Sequence, residues 1–482
     1  MAFSTVFFIF VFLPLSLLLF GAALLLKGRW RGTACKVVLL LVGLFFFAWA
    51  TASYVPLLLA MALGNYWLAW TLEPPFEGKG DAGSSARKVR LATGLAVDVF
   101  VLVFFKYLGF LVESLGMLPF DIGFTAPELV QPLGISFMVF SLVSYLMDVY
   151  RGTIPAERNL LNFLVWATFF PKLVQGPIAR YDEMFGSHTE SEIGFTLEGV
   201  SYGARRFVFG LAKKVIIADT LGVVADAVFQ TQAQSGVDTP TAWLGIICYT
   251  FQIFFDFAGY SDMAIGLAAL FGFRLRENFK YPYISVTVGE FWRRWHISLS
   301  TWLRDYLYFP LGGSRRGNVY VNLAIVFLVS GLWHGASWHF VFWGAWYALF
   351  MILDRLYRKL PVAYRLPKPI TWAFTLLVVV FGWVLFRATG TTQALQYWGT
   401  MLGFCGSDTQ FFSFWYYCNA RLMFVLVLAA VCSTPLFETL GKRFGETLAW
   451  RLFRTAGVPL LFVLTLTFVA GNTYTPFLYA QF

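Results

Sequence analysis

Phe291–Tyr306 reads FWRRWHISLSTWLRDY, and the interpretation of the whole chain turns on it. The stretch packs Arg293, Arg294, His296, Arg304 and Asp305 into a chain that is only 13% charged, and adds Trp292, Trp295 and Trp302. It is too polar for an ordinary membrane span. Thr287 followed three positions later by Glu290 is a capping-box pattern, so a helix is expected from Val288. If that helix continues, His296, Ser300 and Arg304 recur every four residues on one face. Further on, an apolar run ends in GLWHGA (331–336), which places Trp333 and His334 inside membrane-like sequence. The chain has 4 histidines, and His296 and His334 are the two at which chemistry is expected.

Outward from this stretch, the composition excludes a soluble fold. The 482 residues are 59% hydrophobic and 20% aromatic, with a mean hydropathy of +0.68. Many windows are long enough to cross a bilayer, so the expected class is an all-α polytopic membrane protein. Met1–Leu26 has no basic start and too long an apolar run for a signal peptide, and it reads as a retained first span.

The net charge of +10 does not point to nucleic acid, because of where the basic residues fall. Of the 36 Lys and Arg, 33 lie in the windows 27–36, 79–90, 151–214, 274–316, 355–368 and 442–454. The alternate connections 116–131, 219–240 and 388–420 contain none before Arg421. The positive-inside rule makes the basic side cytoplasmic and both termini periplasmic. Cys405 and Cys418 share an expected outer connection, where they could pair or remain two unrelated thiols.

Taken in order, the apolar runs give crossings at 1–26, 37–52, 53–72, 91–115, 132–150, 205–229, 241–272, 319–333, 337–353, 370–387, 421–440 and 455–471. Pro56 marks the break between the second and third of these, and 74–85 reads as a cytoplasmic linker. Lys106 falls inside the fourth span, where it either snorkels or faces a polar cavity. NLLNFLVWATFFPKLVQGPIAR (159–180) is apolar but interrupted by Pro171, Lys172, Gly176 and Pro177, and reads as re-entrant. The span 241–272 carries Asp256, Tyr260, Ser261 and Asp262, a polar group expected to face inward. Pro310–Asn318 is a turn, and the two runs after it form a hairpin with His334 near its tip.

A histidine within the membrane is a functional candidate, since a low-dielectric site keeps it neutral and able to act as a base. A hydrogen-bonded core histidine is the plain alternative for His334, and an interfacial helix for His296. Arg293, Arg294 and Arg304 could clamp donor phosphates or anchor to anionic lipid. Trp295 and Trp333 suit packing as well as ligand contact. His188 lies in a polar loop. No P-loop, H-E-x-x-H or zinc-spaced Cys/His set is present, so the sequence offers no ATP engine or metal centre.

The residues that carry a family resemblance are FDFAGYSDMAIG (255–266), ENFKYPY (277–283), WRRWHISLSTWLRDYLY (292–308), GLWHGA (331–336) and YTPFLYAQF (474–482). With them the chain resembles the membrane-bound O-acyltransferase (MBOAT) family, in wording closer to its AlgI-like alginate branch than to its D-alanyl branch. The resemblance implies an MBOAT fold of about 11–12 transmembrane helices plus re-entrant helices around a central catalytic tunnel. It implies a single domain, with a catalytic core at about 132–353 and peripheral helices at 1–115 and 370–482. His334 maps onto the family's WHG histidine and His296 onto its second histidine. Arg293, Arg294, Trp295, Ser300, Arg304, Asp305, Trp333, Asp256, Tyr260 and Ser261 would line the donor passage.

The implied function is O-acyl transfer in a bacterial inner membrane, from acetyl-CoA as a substrate rather than a bound cofactor, to an exported polysaccharide. Implied partners are a periplasmic SGNH-type acetyltransferase, polysaccharide export and modification proteins, and membrane lipid, with no nucleic acid. Alginate-like polysaccharide is favoured, with peptidoglycan or cellulose as alternatives. A transporter or channel lined by the His/Arg/Asp cluster, or a scaffold for the polysaccharide machinery, remains a different class of reading.

Overall fold

Without water to satisfy exposed backbone groups, a chain this apolar has to close its hydrogen bonds within helices. The computed structural model describes residues 1–74, 85–117, 127, 129–186, 193–361, 366–406 and 413–471, and every regular element among them is helical. Residues 75–84 of the expected linker, most of 116–131, His188 and the tail 474–482 fall outside the described residues.

Packing divides the chain into two compact units. The first comprises Met1–Phe207 and Met263–Arg276. In it the Arg29–Thr51 and Val55–Trp70 helices meet at a single 3-10 turn, and Pro56 opens the second of them, where its missing N–H costs nothing. The interrupted stretch after Asn159 is broken as its sequence suggests. Asn159 caps Leu160–Thr168, Phe169 turns extended (φ −60, ψ 103), and Pro171 starts the short Phe170–Leu173 helix. Lys172 is buried there, its Nζ 3.9 Å from the centre of the Trp166 ring.

The second unit comprises Val208–Asp262 and Glu277–Phe482. Two expected outer connections are shorter than their polarity suggested. Asp219–Ser235 is helical, because Leu221, Gly222, Ala225, Val228, Phe229 and Gln232 recur at helical spacing and are buried on one side. Connection 388–420 likewise contains the helix Thr391–Met401, which buries Ala394, Tyr397, Thr400 and Met401. Lys214, read from sequence as part of the cytoplasmic charge, is in fact 2% exposed and ion-paired.

Five helices among the described residues are long and apolar enough to cross a membrane, or six if the bent pair Ala420–Cys432 and Leu436–Phe444 counts as one span. The other runs read as crossings are shorter or more polar helices, such as the 16-residue Val319–His334. In Thr239–Leu270, 94% of the spanning window is buried, against 17% in Ser85–Gly116, so the former runs through protein and the latter offers its surface to lipid. That burial explains how the polar residues of Thr239–Leu270 are tolerated at membrane depth.

The hairpin that ends at His334 is held by close helix packing. Val319–His334 and Trp338–Tyr357 are joined by Gly335–Ser337. A Cβ on Gly331 would lie 2.2 Å from the Phe340 carbonyl oxygen, and one on Gly344 2.5 Å from that of Phe327. Only glycine allows the two backbones this approach. Gly331→Ala is expected to force the helices apart and to destabilise the protein by about 1–3 kcal/mol, read as a lowered thermal midpoint in detergent.

Candidate active site

The site is built within the second unit from three pieces: the 277–280 segment, the polar stretch 287–308 and the tip of the hairpin. The polar stretch starts as its sequence dictates. The Thr287 side chain accepts from Glu290 N at 3.1 Å, and the helix runs Val288–Arg294. Glu290 reaches back to Val286 N rather than to the Thr287 N–H, a shifted form of the capping box. Its carboxyl is held below the usual range by that backbone N–H and by Arg294, which outweigh its burial.

The single continuous helix expected from Val288 is not what forms. Trp295 turns extended (φ −101, ψ 130), His296 adopts the left-handed conformation (φ 44, ψ 56), and a second helix runs Ile297–Leu303. His296, Ser300 and Arg304 therefore do not share one uninterrupted face. A left-handed backbone at a non-glycine residue costs about 1–2 kcal/mol, so something must over-determine it. Asn278 does so from an adjacent segment. Its carbonyl accepts from Ile297 N at 2.9 Å, and its side-chain Oδ1 accepts from Ser298 N at 3.2 Å and Ser298 Oγ at 3.0 Å. Lys280 N donates to Arg294 O at 2.9 Å, which closes the segment against the end of the first helix.

His296 is 1% exposed. Its Nδ1 lies 3.2 Å from Asn278 Oδ1, and its Nε2 has no hydrogen-bond partner among the described residues. Phe257 packs edge-on at 4.7 Å between ring centres. Burial pushes the imidazole pKa down to about 3, so His296 is neutral at physiological pH.

His334 is the last residue of its helix and is 3% exposed. Trp333, Trp343 and Phe386 surround it with ring centres at 4.9, 4.9 and 5.1 Å. Trp333 also lies 6.1 Å from His296, so both imidazoles neighbour one indole. The tertiary fold thus brings together the two histidines that the sequence singled out.

The other candidates are placed differently. Trp295 is core: it packs against Trp383 at 4.7 Å and Phe279 at 5.1 Å. Arg294 is held by Glu290 at 2.8 Å and donates to Lys280 O at 3.1 Å. Arg293 and Arg304 are exposed, and Arg304 pairs with Asp305 at 2.7 Å. Ser300 Oγ donates to Trp295 O at 3.4 Å. Asp256, expected on the passage wall, belongs to an ion cluster in which Lys214 Nζ lies 2.7 Å from both Asp256 and Asp219. Tyr260 is buried, and Ser261 Oγ accepts from Asn278 Nδ2 at 3.0 Å. Among the described residues no group of three or more His, Cys, Asp or Glu could hold a metal ion. All five cysteines carry free thiols.

Asn278 is the site residue that sequence reasoning passed over. ENFKYPY belongs to the family pattern, but an asparagine in such a segment carries no signal for the distant helix break that it controls.

Two buried imidazoles near one indole, inside a helical membrane protein, form the candidate site. Residues 153–392 match the membrane-bound O-acyltransferase family. The chain is 39% identical to the probable alginate O-acetylase AlgI of Pseudomonas putida, over all of both chains. It is 42% identical to that of Azotobacter vinelandii, over 84% of this chain and 78% of the relative. It is 33% identical to the peptidoglycan O-acetyltransferase of Helicobacter pylori, over 84% of this chain and 80% of the relative. The chain belongs to the membrane-bound O-acyltransferase family and is an acyltransferase.

Proposed function

We propose that the protein sits in a bacterial inner membrane with both termini periplasmic and passes an acetyl group from cytoplasmic acetyl-CoA towards an exported polysaccharide. Alginate-like polysaccharide is the favoured acceptor. The observation that carries the reading is the pair of buried imidazoles near Trp333, in a chain full-length similar to an alginate O-acetylase. In this reading the acceptor hydroxyl oxygen attacks the thioester carbonyl carbon and the C–S bond breaks. His334 takes the hydroxyl proton and returns it to the departing thiolate, giving coenzyme A. Its place at a helix C-terminus suits the transient imidazolium, because that end of a helix favours positive charge.

His296 assists, and the exposed Arg293 is available to donor phosphates at the basic face. A periplasmic SGNH-type acetyltransferase and the export machinery would finish the transfer. Peptidoglycan is the second acceptor to test, on the strength of the 33% identical relative. Vesicles carrying the protein and supplied with acetyl-labelled acetyl-CoA on the cytoplasmic face should acetylate an acceptor outside while coenzyme A stays on the donor side. Passage of intact acetyl-CoA without acyl turnover would instead mean a transporter. Parallel arms with alginate and peptidoglycan fragments read out the acceptor.

A further inference from the structure

Ser298 N lies 3.2 Å from Asn278 Oδ1. A backbone N–H can only donate, so the side-chain atom that faces it is the amide oxygen, not the NH2. At the opposite end of the same amide Nδ2 then donates to Ser261 Oγ at 3.0 Å, a hydroxyl that can accept. The orientation of the Asn278 side chain is therefore fixed by its surroundings rather than chosen.

That same oxygen faces His296 Nδ1 at 3.2 Å. An oxygen with lone pairs only requires a proton on the nitrogen opposite, so Nδ1 carries the N–H. A neutral imidazole has one proton, and Nε2 is then bare. Nε2 is also the atom left buried without a hydrogen-bond partner among the described residues.

We infer that Asn278 is the positioning residue of the site: it locks His296 in the Nδ1–H tautomer and so makes Nε2 an obligatory hydrogen-bond acceptor. The chemical class that docks there follows. The ligand atom against Nε2 must bring a proton, as a hydroxyl, a thiol or an amide N–H does. A thioester carbonyl oxygen or a tetrahedral oxyanion finds no donor at that atom, which excludes His296 from stabilising the oxyanion. Ser261, Asn278 and Ser298 form the frame that holds this arrangement, and the left-handed turn at His296 is what brings Nδ1 to it.

The titratable groups carried by the elements packed against His296 are few. Asp256 and Asp262 flank Phe257 on the long helix and are ion-paired with Lys214 and Lys213; Glu277 and Lys280 lie beside Asn278, and His334 lies beyond Trp333. None of them is the hydrogen-bond partner of Nδ1.

The tautomer stands on geometry alone, whereas its catalytic consequence rests on the acyl-transfer reading, and one experiment separates the two. The four histidines are labelled with 15N, and the His296 signals are assigned by their loss in His296→Gln. The wild-type spectrum at neutral pH should show a protonated Nδ1 and a bare Nε2. A protonated Nε2 overturns the proposal whatever the enzyme does. In Asn278→Asp, a carboxylate oxygen still accepts from Nδ1–H, so the tautomer should persist, and its charge raises the His296 pKa. The acid limb of the transfer profile should then move upward in pH. Asn278→Ala should lose the single tautomer and about 10–100-fold in rate, as other imidazoles do without their orienting partner. An unchanged pH profile in Asn278→Asp, or wild-type tautomer and rate in Asn278→Ala, also overturns it. If the variants do not accumulate, the wild-type spectrum still decides. If acyl transfer proves independent of His334, the functional reading fails and the tautomer remains testable by the same spectrum.

Discussion

His334→Ala is expected to reduce acyl transfer to near background while the protein still inserts and accumulates. The imidazole is 3% exposed and packed against Trp333, Trp343 and Phe386, none of which can act as a base in its place. A positioned general base contributes about 10²–10⁴-fold, equivalent to about 3–5 kcal/mol of barrier. The alanine also leaves a cavity, so some loss of stability accompanies it. His334→Gln keeps most of the volume and cannot act as a base. It should be inactive with a smaller change in thermal midpoint. Wild-type acetylation by protein of normal abundance in either variant would sink the assignment.

The second large effect is expected at the buried ion cluster, and it is one of stability. Lys214 is 2% exposed and Asp256 1%, and Lys214 Nζ is 2.7 Å from the carboxylates of both Asp256 and Asp219. Lys214→Met would remove the cation that the two carboxylates share. Breaking a buried pair by removing one partner costs about 3–5 kcal/mol. Asp256→Asn should cost less, because Lys214 keeps Asp219. Removing all three charges together, with Lys214→Met, Asp219→Asn and Asp256→Asn, should recover much of the loss, since a fully neutral site avoids the desolvation of any charge. Thermal unfolding in detergent across the three proteins checks the order. A triple variant less stable than Lys214→Met alone would contradict it.

Much of the local structure could be read directly from the chain. Thr287 and Glu290 announced a helix start that lies where it was expected, because a cap is decided by residues within one turn. Pro56 marked its break and Asn159–Gly176 its interruption for the same reason. Errors came where a rule of composition was applied to a region settled by packing. The crossing expected at 205–229 runs on as helix to Ser235, into the expected outer link, because its apolar residues pack on one side.

By itself, the sequence determined that this is a helical membrane protein, singled out His296 and His334 as the candidates for its chemistry, and placed the second of these at a hairpin. Each follows from hydropathy, turn chemistry or the cost of an imidazole in a low-dielectric setting, all local quantities. The stretch FWRRWHISLSTWLRDY contains neither glycine nor proline, and nothing in it forecasts a break at His296. The tertiary structure decided that break, since the donors of Ile297 and Ser298 find their acceptors on Asn278, outside the stretch. It also decided the partner of Asp256, because Lys214 comes from a different helix and ion pairing across helices leaves no mark on either segment alone.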